Sequence, residues 1–234
     1  MSINVQQPPE KVHPMPFCRV EIAILSVVDE RLCVLLAKRS QSPYAGRWSL
    51  PGGVIRIDLD EDLEASVQRV ALERMEVKLP FLRQLCAVGG VSRDPRAPWG
   101  LSIVYRGLLP TETFDPKSGK RIEALAWRPV EEAIVETKLA FDHAHLVAQA
   151  VAATRADVDR LDLPLGFLPD EFTLGELQAA CEQILGRRLD KSSFRRKLDE
   201  RKLVTPIEGE MRTGAFRPAQ LYRFRGGSIS NSPY

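Results

Sequence analysis

The stretch GGVIRIDLDEDLEASVQRVALERMEV, residues 52–77, decides how the rest of the chain is interpreted. It opens with two glycines, continues through acidic residues and ends in a segment with helical spacing. From Asp62 to Met75 apolar residues recur every three or four positions, which is typical of an amphipathic helix. The stretch therefore predicts a loop and helix that handle phosphate groups and a metal ion.

Strand-like apolar runs lie on both sides of this stretch, at 20–28, 32–39, 81–90, 101–109 and 123–130. The three-residue link between the first two predicts a hairpin. A helical pattern then extends over residues 131–158. Strands, a helix, more strands and a closing helix predict an α/β fold, in which helices flank a mixed sheet as an α/β/α sandwich.

A second, smaller domain follows the proline- and glycine-containing segment LDLPLGFLPD, residues 161–170. The pattern there is helix, short break, basic helix and two β-like runs, which is typical of a winged helix-turn-helix. From Glu171 to Arg225 the chain has twelve Lys or Arg and eight Asp or Glu, although the whole chain carries a net charge of only +2. The basic charge is therefore concentrated in this C-terminal domain.

The second helix of this domain predicts a DNA-binding surface. Phe194 and Leu198 are an i, i+4 apolar pair that faces the core, so small hydroxyl and basic side chains face outward. Arginine recognises guanine edges, and serine and lysine hold phosphates. The residues expected to bind DNA are Lys191, Ser192, Ser193, Arg195 and Arg196 on the helix, with Arg212 and Arg217 in the wing. The alternative is a solvated basic helix face.

The glycine loop and its helix resemble the Nudix box, a motif in which several glutamates surround Mg²⁺ next to a diphosphate. Arg69, Glu61 and Glu73 match motif positions, but the motif's glutamate after the arginine is Val70 and its last glutamate is Arg74. The helix-end glycine is also replaced, by Glu76.

These replacements predict a domain that keeps the scaffold and has lost efficient catalysis. One carboxylate beside a guanidinium is a poor Mg²⁺ site, because the cation loses negative ligands and meets a like charge. We expect Glu61 and Glu73 to pair with Arg69 and to hold the loop against the helix. We therefore expect no catalytic residues and no metal site, with slow residual hydrolysis left open.

Two further segments supply candidate ligand-binding residues. SRDPRAPWG, residues 92–100, brings Arg93 and Arg96 around a proline turn, and guanidinium forks suit phosphates. Asp94 pairing with either arginine is the alternative. Arg47 and Trp48 precede the glycine loop, where Trp48 is also a candidate core residue. His143 and His145 are only two apart on a helix, so we expect no metal site there and assign His143 to the helix start or to packing.

The combination of a degenerate Nudix box, RDPR, AFDHAHL and the run LPDEFTLGELQ to RPAQLYRF resembles the NrtR family of Nudix-related transcriptional regulators. The resemblance implies a homodimeric repressor of NAD metabolism genes. It would bind a palindromic double-stranded DNA operator and be released by ADP-ribose or a related nucleotide, with no required cofactor. The effector-binding residues expected are Arg47, Trp48, Gly52, Gly53, Arg69, Glu73, Arg93 and Arg96. Relatives tuned to sugars such as arabinose, an active hydrolase of ADP-ribose-like nucleotides, and a mere dimerisation platform are the alternatives.

The expected organisation completes this picture. It comprises a flexible arm (1–16), a Nudix-like effector-binding domain (17–158), a linker (159–170), a winged helix-turn-helix domain (171–226) and a disordered tail (227–234). The four cysteines are scattered without a CxxC pair, and no signal peptide or membrane-spanning run is evident. We therefore expect a reduced, cytoplasmic protein.

Overall fold

The larger sheet, its connecting loops and the helix that follows the glycine pair position the candidate ligand-binding residues. The computed structural model describes residues 15–80, 82–111, 114–136, 138–163, 168–213 and 218–225. Within these residues, seven strands form that sheet: β1 (Phe17–Val28), β2 (Arg31–Arg39), β3 (Trp48–Ser49), β4 (Gly52–Val54), β5 (Arg83–Val91), β6 (Trp99–Leu108) and β7 (Ile122–Pro129). Residues 1–14 of the expected arm and the whole expected tail lie outside the described residues.

The sheet is mixed, as predicted. The strand order is β3-β2-β1-β6-β5, with β4 also paired to β1 and β7 to β2. β1 and β6 run parallel, and the remaining pairs are antiparallel. The helices of this domain are α1 (Leu63–Met75), α2 (Val130–Val135) and α3 (His143–Asp159).

Strand β1 is buried on both faces, and its side chains alternate between two apolar cores. Val20, Ile22 and Ile24 belong to the core that contains the apolar side chains of α1. Ala23 and Leu25 belong to the core that contains those of α3. This period of two places one helix on each side of the sheet and confirms the α/β/α sandwich.

Helix α1 begins and ends where the predicted amphipathic helix does. The Asp62 carboxylate accepts the Ala65 N–H at 2.7 Å and caps the first turn. At the other end Glu76 adopts a left-handed conformation, with φ of 56°, and its N–H donates to the Leu72 carbonyl. Glu76 thus has the backbone conformation for which glycine is usually selected at a helix end.

The single helical pattern predicted for 131–158 was wrong, because the segment forms two helices. The chain between α2 and α3 turns back on the sheet, where the Ala140 N–H donates to the Trp48 carbonyl at 2.8 Å. Phe141 follows with φ of 56°, which breaks the helix before His143. The helical spacing of the sequence continues between α2 and α3, but the tertiary hydrogen bond from Ala140 to Trp48 ends the helix there.

The C-terminal domain has the predicted winged-helix order and one additional strand. Its elements are β8 (Phe172–Thr173), α4 (Leu174–Leu185), α5 (Lys191–Glu200), β9 (Val204–Arg212) and β10 (Ala219–Phe224). In the described residues the sheet order is β8-β10-β9, so the two-stranded ribbon gains a short third strand. Thr173 and Glu176 form a capping box that begins α4.

Apolar side chains of the two domains pack together in one buried core. Phe172, Leu177 and Ile184 belong to the same buried core as Leu146 and Val147 of α3. Across this contact Arg155 of α3 donates from Nε to the Ile184 carbonyl at the end of α4, at 2.9 Å. The winged helix is therefore packed directly against α3.

All four cysteines are free thiols. Burial raises the pKa of the Cys181 thiol to about 12, as expected for a reduced core residue. Within the described residues, none of the helices combines the length and the apolar character that crossing a membrane requires.

Candidate functional site

A polar cleft opens between β1, β2, the glycine strand β4, helix α1 and the loop before β7. Its cavity volume, taken as the space open to a water-sized sphere, is about 50 Å³. Five of the side chains that line it are arginines: Arg19, Arg39, Arg74, Arg96 and Arg121. We call this feature the arginine cleft. Guanidinium groups carry fixed positive charge and bind anionic oxygens in pairs, so the cleft is suited to phosphate or carboxylate ligands.

Three of these arginines, Arg39, Arg74 and Arg121, lack a carboxylate in hydrogen-bond contact within the described chain. Arg74 donates to the Gly52 carbonyl at 3.1 Å and to the Lys120 carbonyl at 2.9 Å, and Glu73 stays 3.9 Å away. Arg39 donates to the Pro43 carbonyl at 2.7 Å. The partners of Arg39 and Arg74 are neutral oxygens, so their charges remain available to an anion.

The electrostatic cost of this arrangement appears in the pKa values of the same side chains. Burial lowers the pKa of Arg74, and Glu73 offsets this only in part. Burial also lowers the pKa of Arg39, and the neighbouring charges of Arg19 and Arg96 lower it further. Both groups remain charged at neutral pH, so like charges are held together at an energetic cost that an anion would relieve.

Glu21 is a buried carboxylate at the back of the cleft. Its Oε1 accepts from Arg19 Nε at 2.9 Å, and its Oε2 has no hydrogen-bond partner in the described part of the chain. A Cβ atom at Gly52 would lie 1.8 Å from that Oε2 atom. Gly52 is therefore required here for the space that it leaves beside the carboxylate.

His143 closes the back of the same site at the start of α3. Its Nδ1 accepts the Leu50 N–H at 2.9 Å, so the ring proton of the neutral form is on Nε2, 3.8 Å from Glu21 Oε1. Burial lowers the pKa of His143 to about 4. The residue is therefore a neutral packing group at neutral pH, and its assignment to the helix start is confirmed.

Arg93 and Arg96 occupy different environments, although both come from one turn. Arg96 forms a two-pronged pair with buried Asp94, at 2.8 and 2.5 Å, and still lines the cleft. Arg93 instead holds Asp142 in the same manner, at 2.9 and 2.8 Å, and donates to Ser102. Asp142 immediately precedes α3, so Arg93 fixes the start of that helix.

The Nudix-like loop is held by Arg69, as expected, but mainly through a different carboxylate. Arg69 donates to both oxygens of Asp60, at 2.6 and 2.7 Å, and to the Val54 carbonyl at 2.9 Å. Glu73 lies 3.5 Å from the same guanidinium. The expected pairing of Glu61 was wrong, because Asp60 takes that place and Glu61 is exposed.

Val70, at a glutamate position of the motif, is fully buried against the glycine strand. A Cβ atom at Gly53 would approach a Val70 methyl group to 2.6 Å, so the two residues pack as tightly as their sizes allow. In the described residues, no group of three His, Cys, Asp or Glu side chains could hold a metal ion. The residues present therefore do not fit the Mg²⁺ site that the Nudix motif implies.

The remaining predicted ligand residues lie around the cleft without lining it. Arg47 is exposed and stacks on the Tyr44 ring at 5.4 Å. Trp48 is half-buried against the core, with Arg128 over its ring at 5.3 Å. Among the eight predicted residues, Gly52 and Arg96 line the cleft, and ligand contact by all eight stays a prediction.

Sequence reasoning missed three arginines of the cleft, Arg19, Arg39 and Arg121, and treated Arg74 only as a lost glutamate. Arg19 and Arg39 lie in or at the end of strands far from the glycine loop. One usable signal was the buried charge itself, since an arginine inside an apolar strand pattern requires a partner or a ligand.

Helix α5 presents the predicted basic face. Phe194 and Leu198 are buried, and the predicted DNA-contacting residues Lys191, Ser192, Arg195 and Arg196 are exposed, with Ser193 half-buried. Asp190 caps the helix by accepting the Ser193 N–H at 2.8 Å.

Of the two predicted wing arginines, Arg212 and Arg217, the first lies within the described residues. Arg212 lies at the end of β9, where it pairs with Glu176 of α4 and donates to the Glu171 carbonyl at 3.2 Å. This fastens the wing strand to α4. Arg217 lies outside the described residues, so its assignment stays a prediction.

Comparison with known families supports both domains. Residues 19–150 match the family model described as the NUDIX domain, and residues 164–224 match that of the NrtR DNA-binding winged helix domain. The ADPR responsive transcriptional repressor NtrR of Acinetobacter baylyi is 36% identical over 212 residues, which cover 91% of this chain and 83% of that protein. The chain belongs to the NrtR family.

Solved structures agree with this assignment to the NrtR family. Shewanella oneidensis NrtR complexed with a 27mer DNA is 32% identical, with a TM-score of 0.74, covering 90% of this chain and 94% of that one. The Nudix domain of the same Shewanella protein, in complex with ADP ribose, is 32% identical with a TM-score of 0.56. That match covers 64% of this chain and 94% of the Shewanella domain.

Proposed function

We propose that this chain is a transcriptional repressor whose arginine cleft binds ADP-ribose and whose winged helix binds operator DNA. The observation that carries the proposal is a cleft with more guanidinium groups than carboxylates, joined to an exposed basic helix. Relatives point the same way, because the Acinetobacter protein is an ADPR responsive repressor and the Shewanella Nudix domain was crystallised with ADP ribose.

The cleft suits a diphosphate better than a neutral sugar. Arg74 is buried and Arg39 half-buried, and both donate to neutral carbonyls. Glu73 stays 3.9 Å from Arg74, so a diphosphate supplies negative charge that the two arginines lack at hydrogen-bond distance. A sugar such as arabinose would offer hydroxyls and leave both charges uncompensated. We assign effector contact to Arg19, Arg39, Gly52, Arg74 and Arg96, and DNA contact to Lys191, Ser192, Arg195 and Arg196 on α5.

Helix α3 is the physical connection between the two sites. At its start, His143 Nδ1 accepts the N–H of Leu50, which lines the effector cleft, and Asp142 is held by Arg93. Near its other end Arg155 bonds the carbonyl of Ile184, and Asp159 pairs with Arg187 of the winged-helix domain. If α3 can occupy two positions, a ligand that binds the protein more tightly in one of them favours that position and moves the winged helix with it. A difference of about 1.4 kcal/mol in binding free energy between the two positions changes DNA affinity tenfold.

The proposal includes features that the family resemblance implies. We infer a cytoplasmic homodimer, because two symmetric recognition helices suit a palindromic operator. We infer NAD metabolism genes as targets and no hydrolysis of the effector. For the domain limits we propose those expected from the sequence, 17–158 for the effector domain and 171–226 for the DNA-binding domain.

A gel-shift titration tests this proposal directly. The purified chain is titrated onto DNA from upstream of its own gene and of neighbouring NAD genes, with and without ADP-ribose, and the nucleotide is followed by chromatography. We expect a shifted band that ADP-ribose abolishes while the nucleotide stays intact. Rapid consumption of ADP-ribose without DNA binding would instead identify a working hydrolase.

A further inference from the structure

We propose that the Arg74 guanidinium takes the place of a divalent cation in this cleft, so that the effector diphosphate is bound without metal. The inference rests on the proposed function, because it concerns how the same cleft holds the same ligand. It makes Arg74 a specificity-determining residue of the effector site, although the sequence suggested only a lost carboxylate.

The carboxylates around the cleft are already engaged by arginines. Asp60 accepts two hydrogen bonds from Arg69, and Glu73 lies 3.5 Å from that guanidinium. Glu21 is bound by Arg19 at 2.9 Å. Mg²⁺ requires several free oxygen ligands, and here it would also face the positive charge of Arg74. This donor set favours an anion over a metal ion.

Arg74 is held rigidly before any ligand arrives. Its two hydrogen bonds go to carbonyls on opposite sides, one in β4 and one in the loop before β7. That loop is fastened to the end of α1, because the Gly119 N–H donates to the Arg74 carbonyl at 3.0 Å and the Lys120 N–H to the Glu73 carbonyl at 2.7 Å. The guanidinium is therefore pre-organised, and little side-chain entropy is lost when an anion binds.

The close approach of this loop depends on Gly119. A Cβ atom at that position would lie 2.4 Å from the Glu73 carbonyl oxygen, which a side chain cannot occupy. The Lys120 carbonyl thus reaches Arg74 only because residue 119 is glycine. The loop, α1 and β4 together build a fixed positive charge at the cleft wall, where burial already lowers the Arg74 pKa.

The first test is calorimetric titration of the full-length chain with ADP-ribose, once in excess EDTA and once with millimolar magnesium. We expect the two dissociation constants to agree within a factor of about two. Binding that requires magnesium would overturn the metal-free proposal and leave the effector assignment standing. Absence of binding under both conditions would overturn the effector assignment itself, and this inference with it.

Two variants test whether Arg74 supplies the positive charge. Arg74→Gln is expected to weaken binding about tenfold or more in EDTA. Arg74→Glu is expected to bind still more weakly in EDTA and to recover more affinity than Arg74→Gln when magnesium is added. Equal recovery by the two variants would assign the loss to the missing hydrogen bonds and would overturn the role of the charge.

The control variant is Arg56→Gln, which removes an exposed guanidinium that pairs with Asp58 outside the cleft wall. We expect it to bind ADP-ribose like the unmodified chain. Thermal unfolding is recorded for each variant, because Arg74 also ties two segments together. If the Arg74 variants do not fold, the comparison of the unmodified chain in EDTA and in magnesium still decides whether the diphosphate is bound without metal, and binding that requires magnesium overturns the proposal.

Discussion

Two arginine clusters in the Nudix domain differ in what surrounds their guanidinium groups. In the first, which we call the Asp157 cluster, Arg83, Arg106 and Arg160 all reach Asp157, at 3.0, 2.6 and 2.8 Å. In the arginine cleft, Arg39 and Arg74 bond neutral carbonyls instead.

The comparison shows that charge compensation separates a structural arginine from a ligand-binding one. Both clusters are partly buried and rich in guanidinium, so residue type alone does not distinguish them. The Asp157 cluster satisfies its charges within the fold and ties β5 and β6 to α3. The cleft leaves charge uncompensated and thereby favours binding of an anion.

The largest expected effect is on stability, in the Asp157 cluster. Asp157→Asn removes the carboxylate that three arginines share, and only Arg83 keeps another one, Asp162. We expect the free energy of unfolding to fall by about 3 kcal/mol. Urea unfolding measures this. Asp159→Asn is the matched control two residues away, because its pair with Arg187 is half-exposed on both sides and contributes less than about 1 kcal/mol. A similar loss in both variants would contradict the comparison.

The next largest effect is expected on DNA binding by α5. Like Arg39 in the cleft, Arg195 of this helix has no carboxylate in contact within the described residues. Arg195→Ala is expected to weaken operator binding by about 2 kcal/mol, roughly thirtyfold. Fluorescence anisotropy at moderate salt measures the affinity, with Arg56→Ala as the charge-matched control in the other domain. An operator affinity that stays unchanged would remove α5 from the DNA interface.

A smaller effect is expected on effector affinity in the cleft. Arg39→Gln should weaken ADP-ribose binding about tenfold, while the unfolding free energy changes by less than about 1 kcal/mol, because no ion pair is broken. Arg160→Gln makes the same change in the Asp157 cluster and should leave ADP-ribose affinity unaltered. Equal loss of affinity in the two variants would show that the total charge matters and its position does not.

The smallest expected effect is a dependence of the unfolding free energy on pH, which His143 causes. Its folded pKa of about 4 lies below the unfolded value of about 6.5, so the unfolded state takes up the proton first as the pH falls. Its contribution therefore destabilises the fold as the pH falls from about 6.5 towards 4, by about 1 kcal/mol between pH 6.5 and 5.5. Urea unfolding of the unmodified chain and of His143→Asn should show a shallower slope for the variant. Parallel slopes would mean that His143 is not buried in its neutral form.

Much of the fold could be predicted, because short-range sequence patterns determine many of its helices and strands. The spacing from Leu63 to Met75 and the continuous apolar run of β1 each determine one element without help from elsewhere. The break before α3 could not be predicted, since it depends on a hydrogen bond from Ala140 to Trp48, far away in the sequence. The short strand β8 also escaped, because it exists only through pairing with β10.

The cleft could be predicted only in part for a similar reason. The Nudix-like motif located Gly52 and the loop, but a motif describes which residues are lost and not what replaces their chemistry. Arg74 therefore counted as a missing carboxylate, whereas in the fold it lines the cleft. Arg19 and Arg39 enter the cleft from two other strands, which only the pairing of the sheet brings together.

The common core of the two domains bears on how such proteins can be recombined. Phe172, Leu177 and Ile184 are buried together with the apolar face of α3, and Arg155 bonds the end of α4. A chimera that joins this winged helix to a different sensor would expose that face unless the new partner carried a matching helix. The winged helix is thus exchangeable only onto a sensor whose closing helix, like α3, packs on its own sheet and on α4 at the same time.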